Sequence, residues 1–218
     1  MPAQHPSHNP NQACRFRRKT VVSSGISTYF PVADRPDPFV SDHVHVSSFG
    51  IAGYEPDWQT GLPTIRALYE SRLVGLVGKT LAQTFLLWDE NDDSWFVDAP
   101  VVLDFRGDRL ELNHWKFDEL SITWNSIQLD EPVNWPGDRE MGLFKLAWRA
   151  DPFEQLAYLA GQQLQAVQLL EYVGQDAAHG MVAVNFVLDN GQMTVVNGLD
   201  ENSLHFSDPG KGFEIHSL

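Results

Sequence analysis

Cysteine is almost absent: Cys14 is the only one among 218 residues. An intrachain disulfide and a thiolate metal cluster are therefore excluded, and a reducing compartment is the expected setting. Long apolar runs are also missing, none approaching the roughly 18 residues that a membrane-crossing helix requires. Pro2, His5, Pro6, His8 and Pro10 interrupt the start of the chain before a secretory apolar stretch could form. The expectation is a cytoplasmic protein that does not contact a membrane.

Positive charge is scarce as well. Fifteen Lys and Arg stand against 29 Asp and Glu, for a net charge of −14. Arg15, Arg17, Arg18 and Lys19 are the only charges in the first nineteen residues, so the remainder carries 11 basic and 29 acidic side chains. A body this acidic repels phosphate backbones, which argues against direct nucleic-acid binding. The same field steers a basic protein partner inwards.

Complete catalytic or cofactor motifs are missing too. VGLVGKT (74–80) ends like a phosphate-binding loop, but Leu73 stands where the first glycine is needed. DENDDSWFVDAP (89–100) has the acidic alternation of a calcium loop, yet Ser94 and Pro100 replace the required Gly and Glu. There is no G-x-S-x-G nucleophile turn. His43 and His45 would share one strand face, but they supply only half a tetrahedral metal site. No metal and no cofactor are expected.

What is present is material for a core, 43% hydrophobic residues with seven Trp and thirteen Phe, and a phrase written twice. FDELSITWNS (117–126) and LDENSLHFSD (199–208) share an acidic pair, a spacer, Ser, a branched aliphatic, a spacer and an aromatic. Upstream, LVGKTLAQTFLLW (76–88) aligns with LAGQQLQAVQLLE (159–171), placing Gly78 on Gly161, Leu81 on Leu164 and Leu86 on Leu169. Between these segments both copies run from a β-rich stretch through a Gly/Asp/Asn turn into another, as Asn190-Gly191 marks best. Ordered agreement over this length predicts two related four-strand units.

Strands are expected near 80–88, 99–105, 109–114 and 120–127, and again near 163–172, 181–188, 192–197 and 203–207. The stretch from Asp151 to Gly174 also has apolar residues at helical spacing, with Asp151 suited to an N-cap and Pro152 to the first helical position. The β-favouring Thr80, Thr84, Phe85 and Trp88 of the matching copy argue for a short helix ending near Gly161, followed by a strand. A second short helix is expected around 63–73. The fold class is then α+β, mainly β: a pseudo-twofold sandwich or partly closed barrel with a short helix before each unit. The organisation reads as a basic arm (1–19), N-terminal strands and loops (20–62), a first β unit (63–130), a linker (131–150) and a second β unit (151–218).

Function is expected from binding. A non-catalytic, acidic protein-binding module is the leading reading, in concrete form an immunity or antitoxin-type inhibitor of a basic partner. Its contact residues would be the repeated acidic pairs Asp118/Glu119 and Asp200/Glu201. The alternative is a small-molecule or carbohydrate-binding protein, or an enzyme, using a cleft between the units lined by His43, His45, Trp58, Trp95 and Trp135. Trp88, Trp115 and Trp124 are expected in the core.

Overall fold

The computed structural model describes residues 49–136 and 142–218. The basic arm, the strand expected in TVVSS, all but the last three residues of the one expected in HVHVSSFGI (43–51), and both His43 and His45 lie outside these residues; residues 49–51 are not in a strand. The elements run β1 (Trp58–Gln59), α1 (Leu62–Val74), β2 (Gln83–Asp89), β3 (Ser94–Trp95), β4 (Val101–Asp104), β5 (Arg109–Trp115), β6 (Glu119–Trp124), β7 (Leu146–Ala150), α2 (Glu154–Leu159), β8 (Leu164–Tyr172), β9 (Val182–Leu188), β10 (Gly191–Asn197), β11 (Asn202–His205) and β12 (Phe213–Ser217). Among the described residues, no helix is long and apolar enough to cross a membrane.

The strands form two antiparallel sheets. One has the order β1-β6-β5-β4-β2-β3, with β7 also on β2; the other has the order β11-β10-β9-β8-β12. Each contains a four-strand meander that follows a helix, β2-β4-β5-β6 in the first and β8-β9-β10-β11 in the second, and in each a later strand returns to the meander's first strand, β7 onto β2 and β12 onto β8. The sheets stay separate, which corrects the partly closed barrel to an open, sandwich-like pair.

Alternation explains the layers, since neighbouring strand residues face opposite sides. Leu86, Val101, Leu103, Leu110, Leu112, Leu120 and Ile122 face inwards from the first sheet. Leu164, Val167, Leu169, Val182, Val184, Phe186, Met193 and Val195 face them from the second, in one continuous core. Each fully buried aliphatic side chain there contributes roughly 1.5–3 kcal/mol. The helix α1 inserts Ile65, Tyr69 and Leu73, one per turn, and α2 inserts Leu156 and Leu159. The outer face of the first sheet is covered by residues 49–58 and 126–135, where Ile51, Tyr54 and Ile127 pack on Leu87 and Val102. Among the described residues, the outer face of the second carries a small cluster around Leu170, Met181, Ala183 and Val196.

Four local expectations need correction. Asp151 is no helix cap: α2 begins at Glu154 after Phe153, without a side-chain cap. The Asp151 carboxylate instead accepts the Thr84 N–H at 2.8 Å, while its own N–H donates to Thr84 O. The stretch read as a linker contains β7, which gains a full ladder on β2. The edge strands β1, β3 and β12 were not foreseen, being two to five residues long and specified by their partners. Trp115, expected in the core, is 37% exposed at the end of β5.

The glycine pair of the sequence alignment sits at one junction. Gly78 and Gly161 have φ of +85° and +84°. Gly78 N–H donates to Leu164 O at 2.8 Å, and Gly161 N–H donates to Leu81 O at 2.7 Å. Leu164 N–H donates to Lys79 O and Leu81 N–H to Gln162 O, at 2.8 and 3.0 Å. Lys79 is held by Asp108 at 2.6 Å, a structural use for the residue that completed the phosphate-loop likeness.

Candidate functional site

Two turns meet at one end of the sandwich. The turn of residues 116–118 joins β5 to β6 in the first sheet, and that of 198–201 joins β10 to β11 in the second. The Lys116 backbone N–H donates to the Asp200 carboxylate, and the Asn197 amide donates to Lys116 O at 2.9 Å. The acidic pairs Asp118/Glu119 and Asp200/Glu201, far apart in sequence, are thereby carried on adjoining turns.

Part of their charge is already used. Glu119 pairs with Lys116 Nζ at 2.6 Å, Asp200 caps the Lys116 amide, and Asp200 N–H donates to Asn197 Oδ1 at 2.9 Å. These bonds fix the turns in place. Their supporting scaffold is buried: the Asn202 side chain accepts the His114 N–H at 3.0 Å and donates to Ala99 O at 2.9 Å and Asn113 Oδ1 at 2.7 Å. The His114 ring spans the sheets, with its nitrogens 3.2 Å from Asn202 Oδ1 and 3.2 Å from Val182 O. Burial pushes its pKa down to about 4, with the two oxygen contacts opposing only in part.

The second turn is strained. Leu199 and Asp200 both have positive φ, +73° and +72°, and Gly198 N–H donates to Glu201 O at 2.7 Å. This is the two-residue hairpin pattern for which Asn-Gly is the favoured sequence. A leucine there is conformationally unfavourable, yet it is 67% exposed and so gains little from burial.

Beneath the turns lies a cleft of about 490 Å³ on the outer face of the second sheet. Met181, Val196 and Phe213 form its apolar floor, and Phe117 and Leu199 stand at its mouth. Phe117 is 49% exposed. Ser203 and His205 add polar groups from one face of β11; burial lowers the His205 pKa and so favours the neutral ring.

The tryptophans of the alternative reading are elsewhere. Trp58 and Trp135 pack around Phe49, with ring centroids 6.1 and 5.4 Å from it, and Trp115 closes the same cluster at 5.8 Å. Trp95 lies against Phe153 at 6.2 Å, in the other core. None of Trp58, Trp95 and Trp135 lines the cleft. The calcium-like loop is likewise committed internally: Asp89 accepts the Asn91 and Lys145 amides, and Asp93 pairs with Trp88 Nε1 and Arg149.

Sequence reasoning missed the cleft because its floor belongs to a strand face that reads as ordinary β alternation. Phe117 and Leu199, each the first residue of the doubled phrase, were the available signal. One further group, Glu171, Glu214 and His216, brings three potential metal-ligating atoms together. No protein family, curated protein or solved structure matches this chain.

Proposed function

We propose that this protein is a non-catalytic binding module that grips a basic protein partner with the cleft and its two acidic turns. The observation carrying this reading is the convergence of three features at one place: a concave apolar floor, exposed Phe117 and Leu199, and an acidic pair on each adjoining turn. Apolar anchors ringed by charge are the arrangement in which a few side chains dominate affinity while charges set the association rate. An inhibitor that caps a basic partner, as immunity and antitoxin proteins do, is the concrete form of the proposal, acting in the cytoplasm. The strained Leu199 fits it, because strain is retained where a side chain must be presented.

The same reading takes the two sheets as copies of one unit. In its support stand the common order of helix, meander and return strand, the matched φ of Gly78 and Gly161, and the reciprocal hydrogen bonds between their segments. Doubling would account for the acidic phrase occurring at both turns, with an approximate twofold passing near Thr80 and Gln163.

A small-molecule reading has one observation in its favour: about 490 Å³ lies within the volume range of ligand pockets. Selecting displayed random peptides on the immobilised protein, with counter-selection on a Phe117→Ser/Leu199→Ser variant, separates the two. The expected peptides carry an apolar anchor flanked by Lys or Arg and associate more slowly as salt rises. Peptides without basic bias, or equal binding to the variant, would overturn the proposal. Failure of all peptides alongside saturable uptake of apolar dyes would favour the small-molecule reading.

A further inference from the structure

The C-terminal strand holds a second cluster, distant in character from the cleft. β12 lies antiparallel on β8, with Glu214 directly opposite Glu171 and His216 opposite Leu169. Glu214 and His216 are two apart on one strand and so share a face, and Glu171 faces them across the ladder. Leu169 points into the main core and Leu170 into the outer cluster. By alternation, then, Glu171, Glu214 and His216 stand on the inner side of the sheet, at its edge.

Three facts about this trio need a common cause. First, two carboxylates sit directly opposite one another, a cross-strand arrangement that repels and destabilises. Among the described residues no Lys or Arg forms an ion pair with either of them. Second, His216 Nε2 is shielded from solvent and has no hydrogen-bond partner, although it points at the Glu171 carboxylate 3.4 Å away. An orphaned ring nitrogen costs stability unless something fills its lone pair or takes its proton. Third, one donor atom from each of the three residues lies within 4.8 Å of the others. Ligands at Zn–N and Zn–O distances near 2.0–2.1 Å in a tetrahedron are separated by about 3.4 Å, which the Glu171–His216 pair already matches.

We infer that Glu171, Glu214 and His216 form a mononuclear site for a borderline divalent cation of the Zn²⁺ class, with one imidazole and two carboxylate ligands. A cation removes the Glu–Glu repulsion, occupies the Nε2 lone pair, and clamps the last strand onto β8. Imidazole ligation selects Zn²⁺ and similar transition ions over Mg²⁺ and Ca²⁺, which favour all-oxygen shells. Three protein ligands leave the fourth position to water. The residues are 43 and 45 positions apart in sequence, outside any short metal motif, and only the β8–β12 register brings them together.

The test is calorimetric titration of ZnCl₂ into the untagged, chelator-treated full chain, run beside Glu171→Gln, His216→Gln and a His43→Ala/His45→Ala double variant. The expected result is one Zn²⁺ per wild-type chain, binding at least tenfold weaker in Glu171→Gln and His216→Gln, and unchanged binding in the double variant. Saturating Zn²⁺ should also raise the wild-type melting temperature, as ligand linkage requires, while MgCl₂ should not. Binding that survives both Glu171→Gln and His216→Gln, or no uptake by wild type at about 100 µM free Zn²⁺, would overturn the inference. The exposed Glu214→Gln provides a milder variant should either of the others fold poorly; its affinity must fall as well.

Discussion

Thr80 and Gln163 face each other in an isolated antiparallel bridge, joining the segment that enters one sheet to the segment that enters the other. The glycines two residues before them, Gly78 and Gly161, turn the chain through nearly identical positive φ. A Cβ at either would meet no atom within 4 Å, so substitution tests backbone conformation without a steric clash. Gly78→Ala and Gly161→Ala should each destabilise the protein by about 1–2 kcal/mol, and by similar amounts. Urea unfolding measures both; a large cost at one and none at the other would contradict equivalent roles.

Glu111 is the buried carboxylate that pins the cover over the first sheet. It is 1% exposed and accepts four donors: Thr123 Oγ1 at 2.6 Å, Ser126 N–H at 2.7 Å, Ser126 Oγ, and Ile127 N–H at 2.8 Å. Glu111→Ala strands two backbone N–H groups and should cost roughly 3–5 kcal/mol. Glu111→Gln keeps one acceptor oxygen and should cost less. Hydrogen exchange at Ser126 and Ile127 should accelerate in the alanine variant ahead of exchange in β9, since only the cover loses its anchor.

His114 gives the fold an acid sensitivity. Its folded pKa of about 4 lies below the unfolded value of 6.5, so the unfolded chain binds the extra proton first. The associated stability is fully present above pH 6.5 and declines as pH falls towards 4, by on the order of 3 kcal/mol in total. A neutral ring has one N–H, so only one of the contacts to Asn202 and Val182 is a hydrogen bond at neutral pH. The expected outcome is proton uptake on unfolding near pH 5 that disappears in His114→Gln. The slope of urea-derived stability against pH reads it independently of the variant's absolute stability.

Leu199 should show opposed effects on stability and binding. Leu199→Gly relieves the positive φ and should stabilise the protein by about 1 kcal/mol. It also removes an exposed anchor and should weaken the peptides selected on the wild-type cleft by tenfold or more. Phe117→Ser should weaken the same peptides while leaving stability within about 0.5 kcal/mol. Unchanged affinity in both would remove the cleft mouth from the contact surface.

Much of the secondary structure was legible in the text, and β8 shows where legibility ended. Leu164, Val167 and Leu170 stand at helical spacing, which made a continuous helix plausible from Asp151 onwards. In the structure the ladder shifts register between Leu164 and Ala166, a bulge that inserts one residue and reverses the facing of those after it. Leu164 and Val167 consequently point into the same core three residues apart, as they would on a helix turn. Leu170 points out of the other face. The bulge thus writes a helical period into a strand. Asp151 failed as a cap for a related reason, since a long-range donor, the Thr84 N–H, competed successfully for its carboxylate. β7 and β12 were invisible because short edge strands take their conformation from the ladder they join.

The candidate site divides in the same manner. Asp118, Glu119, Asp200 and Glu201 could be picked out because the phrase containing them recurs, and the structure sets them on adjoining turns. Trp58, Trp95 and Trp135 stand in Asp-, Pro- and Gly-containing stretches that suggest exposure, yet they are partly buried and spread over two cores. Neither the apolar floor of the cleft nor the Glu171–Glu214–His216 trio carries a local signal.

By itself, then, the sequence determined what local chemistry can encode: strand periodicity, turn residues, the helix positions, the acidic balance and the doubled phrase. Tertiary structure alone decided which sheet faces were covered, which turns came to rest together, and which distant carboxylates met a histidine. Those outcomes depend on ladder register, and a shift of one residue exchanges the two faces of a strand. Register is settled by packing across the whole sandwich, so no short stretch of this chain contains it.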